Sequence, residues 1–161
     1  MIDEIDLQIL NILQQNARTS NAEIARQVEM APSAVLERIR RLEAKGVIQG
    51  YEARINPEAL GLPILAFVFV RSTDFDGEAR TAGLLSEIPE VLEAHHIAGE
   101  DCFLLKVRAR DTKSLGRLLR DRIGSTGAVE STRTTIVLET VREGARLPLS
   151  LPRTAEEAVD D

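Results

Sequence analysis

The chain has 161 residues, a formal net charge of −6, one cysteine and only 3% aromatic residues. This length suits one compact domain or two very small ones, and so few rings argue against a protein that stacks the bases of single strands. No apolar run approaches the ~18 residues of a membrane span, and the acidic N-terminus does not resemble a secretory signal. A single cysteine cannot form an internal disulfide, so we expect a cytoplasmic protein without a membrane partner.

Residues 1–56 have the pattern of three helices. Asp3 can cap the first helix, whose apolar residues recur at helical spacing. The segment Ser20–Glu23 has the form of a capping box and predicts a short second helix. After a break, Pro32 predicts the start of a third helix, which ends at Lys45 and Gly46. A short second helix and a tight turn before the third predict a helix-turn-helix motif, followed by a small hairpin or an extended exit at 47–55.

The predicted third helix is positively charged, although the protein is acidic. Between Pro32 and Lys45 there are four cations and two anions. Arginine pairs with guanine and glutamate accepts from cytosine, so the residues facing away from the core are candidates to contact base edges. They are Ser33, Ala34, Glu37, Arg38 and Arg41. The candidates for phosphate contacts are Arg40, Lys45, Arg54, Ser20 and Asn21. A plain three-helix bundle with a solvated, charged third helix explains the same pattern.

From residue 64 onward strands alternate with helices. We predict strands at 64–71, 91–98, 102–109 and 129–141 and helices at 76–88 and 112–123, with Leu84, Leu85 and Ile88 of the first helix inward. The order βαββαβ is the ferredoxin-like arrangement, so the fold class is α+β. The first strand is apolar on both faces, which predicts burial of both and a dimer formed sheet to sheet. Domain boundaries are predicted at 1–56 and 57–145, with an acidic, mobile tail at 146–161.

The chain as a whole resembles the Lrp/AsnC family of feast/famine regulators over residues 3–142. The matching segments include Asp3–Asp6, Asn21–Ala25, Arg38–Glu43, Gly46–Tyr51 and Phe103–Val107. The resemblance implies an N-terminal winged helix-turn-helix domain that binds double-stranded DNA. It also implies a C-terminal βαββαβ domain that dimerises and binds small effectors, often amino acids, with dimers assembling into octamers or other rings. Two residues depart from the family pattern: Glu29 replaces a glycine in the turn, and Ala31 replaces a capping serine.

The resemblance implies an effector site at the turn between the two middle strands, where dimers meet. Its candidate residues are Gly99, Glu100, Asp101, Cys102, Thr132 and Thr134. Glu100 or Asp101 can receive the ammonium group of an amino acid, and backbone amides near Gly99 its carboxylate. These acids favour a zwitterionic or cationic ligand over an acidic one. Because the residues here differ from those of many members, the ligand stays undetermined, and the same residues also suit an ordinary hairpin turn.

Other kinds of site have little support in the sequence. His95 and His96 are adjacent on a predicted strand and point to opposite faces, so they cannot share a metal ion with Cys102. There is no phosphate-binding glycine loop and no nucleophile elbow, so we expect no cofactor and no enzyme activity. The predicted function is a sequence-specific transcription regulator with a small effector. The alternatives are an architectural protein that wraps DNA without a ligand, and a ligand-sensing oligomer that no longer binds DNA.

Overall fold

The computed structural model describes residues 2–73 and 78–150, which divide into two compact units. The N-terminal unit holds residues 2–54 and 143–150, and the C-terminal unit is Ile55–Arg142. The C-terminal unit therefore ends at Arg142, whereas the predicted domain extends to residue 145. Residues 143–145 and the start of the predicted tail join the N-terminal unit because Gln14 exchanges two hydrogen bonds with the backbone of Leu147 (2.8 and 3.2 Å) and Arg54 donates to the carbonyl of Glu143. The rest of the predicted tail lies outside the described residues.

Three helices form the N-terminal unit: α1 (Glu4–Gln15), α2 (Asn21–Gln27) and α3 (Pro32–Ala44). The predicted caps are confirmed. Asp3 and Asp6 form a capping box at α1, the Ser20 hydroxyl accepts from the amide of Glu23 at α2, and Pro32 occupies the first turn of α3. The three helices close on a small aliphatic core that is inaccessible to water. Its fully buried members are Ile9, Ile24 and Val35.

Helix α2 ends in a left-handed turn at Glu29, whose φ is +54°. The amide of Met30 donates to the carbonyl of Ala25 (2.9 Å), which is the six-to-one bond of a Schellman motif. Glycine adopts this conformation at no steric cost, whereas a residue with a Cβ pays on the order of 1 kcal/mol. Helix α3 ends in the same way at Gly46, with φ +68°. Glu29, which replaces a glycine of the family pattern, therefore lies at a backbone position that favours glycine.

The exit from α3 is extended. Residues 47–63, all within the described part of the chain, contain no strand and only a single 3-10 turn at Glu58–Leu60. The predicted alternatives of a hairpin or an extended exit are therefore resolved in favour of the second. Along this exit the Tyr51 hydroxyl donates a hydrogen bond to the Glu43 carboxylate at 2.9 Å.

Partial burial, together with the adjacent Glu43 carboxylate, raises the pKa of Tyr51 from 10.0 to about 12. Tyr51 is the one tyrosine in a chain without tryptophan, so ultraviolet absorbance follows its ionisation directly. We expect a phenolate midpoint near pH 12, with far-UV circular dichroism confirming that the fold persists. The associated stabilisation is complete below pH 10 and is lost as the pH rises through the folded pKa. Glu43→Gln should lower the midpoint without returning it to 10.0, because partial burial is the larger cause; a wild-type midpoint at 10 would contradict the contact.

The C-terminal unit is a four-stranded antiparallel sheet in the order β2-β3-β1-β4. Its strands are β1 (Ile64–Ser72), β2 (Val91–His96), β3 (Phe103–Ala109) and β4 (Val129–Ile136). Helix α4 (Glu78–Ser86) follows β1, and α5 (Thr112–Arg117) follows β3. This order confirms the predicted ferredoxin-like arrangement. The predicted helix start at Asp76 and Gly77 lies outside the described residues.

The two faces of the sheet differ in burial. The helices cover the face of β1 that carries Ala66, Val68 and Val70, all fully buried. The opposite face, here called the open face, carries Phe67 and Phe69 on β1 and is only half-buried in the single chain. Leu65 on the same face is buried within the chain, and burial of Phe67 and Phe69 by a second copy stays a prediction. Leu84 was wrongly predicted inward: it is 45% exposed, and Thr81 occupies the buried position on α4 instead.

The predicted helix at 112–123 changes its hydrogen-bond pattern midway. Helix α5 continues as a π-helical segment at Leu118–Ile123. Gly124 closes it by donating to the carbonyl of Leu119 at 2.8 Å. A Cβ at Gly124 would lie 2.9 Å from the same oxygen, so this close approach requires glycine. The wider turn still directs Leu115, Leu118 and Ile123 into the core.

Candidate functional site

Helix α3 presents a polar surface opposite its buried side. Val35, Ile39 and Leu42 are buried, and the first two belong to the core shared with α1 and α2. Most of the predicted DNA-contacting residues of this helix are exposed, and Ala34 is half-buried. The exposed set is Ser33, Glu37, Arg40, Arg41 and Lys45. This surface can therefore meet a groove of DNA without any rearrangement of the core.

Two arginines of α3 bind carboxylates of α1. Arg38 Nη1 donates to Asp3 Oδ2 at 2.7 Å and to Asp6 Oδ1 at 2.8 Å. Arg41 Nη2 donates to both oxygens of Asp6, at 3.0 and 2.9 Å. The prediction that Arg38 faces away from the core did not include these contacts, which leave its side chain only 21% exposed. Arg41 remains 44% exposed.

The ion pairs keep the Asp3 carboxylate charged. The hydrogen bond from Arg38 is the main cause that holds the pKa of Asp3 below its ordinary value of 3.8, and the backbone hydrogen bond from Asp6 acts in the same direction. The same bonds raise the pKa of Arg38. A lowered carboxyl pKa stabilises the fold above pH 3.8, and the stabilisation disappears as the pH falls through the folded value. The ion pair between Asp3 and Arg38 is therefore charged on both sides near neutral pH.

The remaining phosphate candidates lie on the surface of the same unit. Ser20 is exposed and Asn21 half-buried. The Ser20 hydroxyl already accepts a hydrogen bond as the α2 cap, which leaves its own proton for a further acceptor. Arg54 is exposed, and one of its nitrogens donates to the carbonyl of Glu143.

The predicted effector turn joins β2 to β3 and carries paired charges. Gly99 has φ +133°, a conformation that side chains rarely adopt. Arg133 of β4 donates to Asp101 at 2.9 Å, and its guanidinium lies 4.0 Å from the centre of the Phe69 ring. Arg71 of β1 donates to the backbone carbonyl of Glu100 at 3.2 Å and lies 3.8 Å from the Glu100 carboxylate. Two acids and two guanidiniums thus meet beside the open face.

The structure separates other predicted effector residues from this turn. Thr132 and Thr134 lie opposite Val70 and Val68 in the sheet register, which places them on the helix side. Arg133 stands between them and points to the open face, so the grouping of the threonines with the turn is not supported by the geometry. Cys102 is half-buried and its thiol lies 3.7 Å from the carbonyl of Ser72.

No membrane-spanning helix and no cluster of three metal-ligating side chains occurs among residues 2–73 and 78–150. On β2, His95 lies beside Glu93, while His96 packs on the Phe103 ring. A cleft of about 440 Å³ lies near Thr73, Arg80 and Thr126. It holds none of the predicted effector residues, which instead lie at the surface of the single chain.

Comparisons with known proteins agree with both halves of this description. Residues 2–49 match a winged helix-turn-helix DNA-binding model, and residues 65–147 match the Lrp/AsnC ligand binding domain. The leucine-responsive regulatory protein of Escherichia coli K12 is 37% identical over 150 residues, which cover 91% of this chain and 90% of that protein. An HTH-type transcriptional regulator of Pyrococcus horikoshii is 38% identical over 148 residues, with 92% and 97% covered. The chain belongs to the Lrp/AsnC family of transcription regulators.

Solved structures of similar proteins extend the comparison to ligands. A feast or famine regulatory protein from M. tuberculosis, complexed with L-methionine, superposes with a TM-score of 0.85 at 37% identity. The alignment covers 91% of this chain and 99% of that one. In this Lrp/AsnC protein, Asp6 and the two arginines that bind it lie within the matched DNA-binding model. The turn at residues 99–102 lies within the matched ligand-binding model.

Sequence reasoning missed Arg71 and Arg133 in this Lrp/AsnC protein. The signal that could have found them is strand order. In a βαββαβ sheet the first and last strands are neighbours, so Arg71 and Arg133 fall within two residues of each other across the β1–β4 ladder. Both arginines point to the open face beside the end of the turn. There they neutralise the carboxylates of Glu100 and Asp101.

Proposed function

We propose that this Lrp/AsnC protein is a sequence-specific transcription regulator whose DNA affinity responds to an amino acid bound at the 99–102 turn. One observation carries the proposal. Asp101 and Arg133 hold a carboxylate and a guanidinium 2.9 Å apart at the protein surface. A free amino acid presents an ammonium and a carboxylate at a similar spacing, so it can pair with both through charge-assisted hydrogen bonds.

For DNA, the proposal assigns roles by exposure on α3. The major groove admits a helix, and the N-terminal part of a recognition helix contacts base edges. We assign base contacts to Ser33, Ala34, Glu37 and Arg41. The assigned phosphate contacts are Ser20, Asn21, Arg40, Lys45 and Arg54. Arg38 is withdrawn from the base-contacting set, because Asp3 and Asp6 occupy its guanidinium.

For the effector, the proposal retains the turn and adds the two arginines. Gly99, Glu100, Asp101 and Cys102 form one side of the site. The ligand carboxylate would compete with Asp101 for Arg133, while the released Asp101 receives the ammonium. Because Arg71 and Arg133 balance Glu100 and Asp101, the site does not repel an acidic amino acid as strongly as the acids alone would. The proposal leaves out Thr132 and Thr134, because they lie opposite Val70 and Val68 on the helix side of the sheet.

The proposal also includes assembly of identical chains. Phe67, Phe69 and Leu104 are half-buried on the open face, which supports a dimer formed sheet to sheet. The turn, with Asp101 and Arg133, lies at the end of that face and supports contacts between dimers, up to an octamer. An effector at such a junction would favour one arrangement of dimers over another.

The test begins with a thermal-shift screen of the twenty amino acids. Leucine and methionine come first, because one relative is named a leucine-responsive regulatory protein and another was solved in complex with L-methionine. A ligand that binds only the folded state raises Tm. Footprints of the protein on DNA from its own promoter region are then compared with and without the hit. A hit that changes the footprint supports the proposal. Protected DNA with no hit among the twenty would instead favour an architectural, ligand-independent role.

The strongest single-residue prediction for this site concerns Arg133. Arg133→Gln should weaken binding of the amino-acid hit roughly tenfold or more, since a charge-assisted hydrogen bond contributes about 1.5–3 kcal/mol. Thr132→Ala is the matched control, because it lies on the same strand and faces the helix side. Calorimetric titration of wild type and both variants measures the difference. Equal affinities of wild type and Arg133→Gln would remove Arg133 from the site.

A further inference from the structure

We infer that Asp6 determines how this protein discriminates between DNA sequences, although it lies on α1 and does not face the groove. The inference rests on the proposed DNA-binding function. Asp6 of α1 holds the guanidinium of Arg38 in an ion pair between α1 and α3. It also positions the guanidinium of Arg41 to contact the edge of a DNA base. It is therefore a positioning residue that acts through the two arginines of α3.

The Asp6 carboxylate is buried and fully used as an acceptor. Its side chain is 1% exposed. It accepts from Arg38 Nη1, twice from Arg41 Nη2, and from the backbone amide of Asp3 at 3.3 Å. A carboxylate offers about four lone-pair sites, so these bonds saturate it. Because breaking a buried ion pair is costly, the Asp6 carboxylate holds the guanidiniums of Arg38 and Arg41 in place.

The two arginines are held differently. Arg38 binds two carboxylates, and its side chain is 21% exposed. Arg41 binds one carboxylate, through Nη2 alone, and is 44% exposed. A guanidinium has five N–H donors, so Arg41 keeps donors on its other nitrogens for a second partner. Bidentate contact with guanine needs two such donors held in a fixed plane.

The same contacts reduce attraction that is independent of sequence. Asp3 and Asp6 neutralise the charges of Arg38 and Arg41, which leaves Arg40 and Lys45 as the cations of the 32–45 segment without an ion pair to a described residue. Binding to phosphates depends on the number of cations that release counterions. A lower background affinity and one preorganised arginine both increase the ratio of specific to non-specific binding.

The test uses the full-length protein and duplexes chosen by in vitro selection. Wild type selects its preferred duplex from a random pool of about 30 bp, long enough for two half-sites one helical turn apart. Dissociation constants are then measured for the selected duplex and the unselected pool. The variants are Arg41→Lys, the matched control Arg38→Lys, and Asp6→Asn, all checked for folding by circular dichroism.

Arg41→Lys keeps the charge and loses the planar fork, so the specificity ratio should fall roughly tenfold or more with pool affinity nearly unchanged. Arg38→Lys should leave both constants close to those of wild type. Asp6→Asn removes the charge that pairs with Arg41 and leaves Arg38 paired with Asp3 alone. Pool affinity should therefore rise, its salt dependence steepen by about one unit per added phosphate contact, and the specificity ratio fall. A merely structural role of Asp6 would not raise pool affinity.

Equal loss of specificity in the two lysine variants, or none in Arg41→Lys, would overturn the inference while leaving the proposed function intact. If Asp6→Asn does not fold, the lysine pair still decides between these outcomes. A wild type that binds the pool but selects no sequence would overturn both the inference and the sequence-specific function. A wild type that binds no duplex at all would overturn DNA binding itself.

Discussion

Phe103→Ala is expected to lower the free energy of unfolding of the C-terminal unit by about 3–5 kcal/mol. Phe103 is 2% exposed and belongs to the core between the sheet and its helices. Its ring also contacts His96 on the neighbouring strand, with ring centres 5.4 Å apart. Truncation removes apolar contacts and leaves a cavity that close-packed neighbours fill only in part. Urea denaturation followed by far-UV circular dichroism measures the loss.

Leu84→Ala provides the matched control for the same unit. Leu84 belongs to α4 but is 45% exposed, so its truncation should change stability by no more than about 0.5 kcal/mol. The comparison tests burial directly, because both residues are large and apolar. Similar losses in the two variants would show that the assignment of core and surface in this unit is wrong.

Asp6→Ala is expected to destabilise the N-terminal unit by about 2 kcal/mol. Removing one partner of a buried ion pair typically costs about 3–5 kcal/mol, and the value here is lower because the guanidiniums of Arg38 and Arg41 can turn toward solvent. Hydrogen exchange of peptides from α1 and α3 isolates this unit from the sheet. Protection of α1 and α3 should fall together, since the carboxylate joins them.

Asp3→Asn is the control for that experiment. Asparagine caps a helix as well as aspartate does, and Asp3 is half exposed and contacts Arg38 but not Arg41 among the described ion pairs. We expect little change in exchange. A loss of protection in Asp3→Asn equal to that in Asp6→Ala would mean that the surface ion pair of Asp3 with Arg38, and not the buried carboxylate, holds the two helices together.

Local signals in the sequence were sufficient for most of the fold. Asp3, Ser20 and Pro32 each mark a helix start by chemistry that acts within four residues, and all three starts are confirmed. Gly46 and the turn at Gly99 are equally local. The apolar pattern after residue 64 predicted the order of strands and helices, and that order predicted the ferredoxin-like sheet.

The errors concern contacts between residues that are distant in the chain. Helical periodicity shows that Arg38 faces away from its own core, but not that Asp6, 32 residues earlier, covers it. The last strand was predicted to continue to residue 141 because valine and threonine suit a strand. It stops at Ile136, opposite Ala66 near the start of β1, because a strand without a partner has no ladder to extend.

The same limit applies to the effector turn. A family resemblance can place a turn, but the partners of its acids depend on register. One position along β4 decides whether Arg133 or a neighbouring threonine faces the turn, since successive side chains alternate between faces. The arginine that balances Asp101 became visible only when β4 was paired with β1.

The exchange of hydrogen bonds between Gln14 and Leu147 makes the C-terminal unit an insertion within the chain of the N-terminal unit. The backbone crosses between the two units twice, at Arg54–Ile55 and at Arg142–Glu143. The smallest faithful DNA-binding fragment is accordingly not a simple N-terminal truncation product: it must join residues 2–54 to residues 143–150.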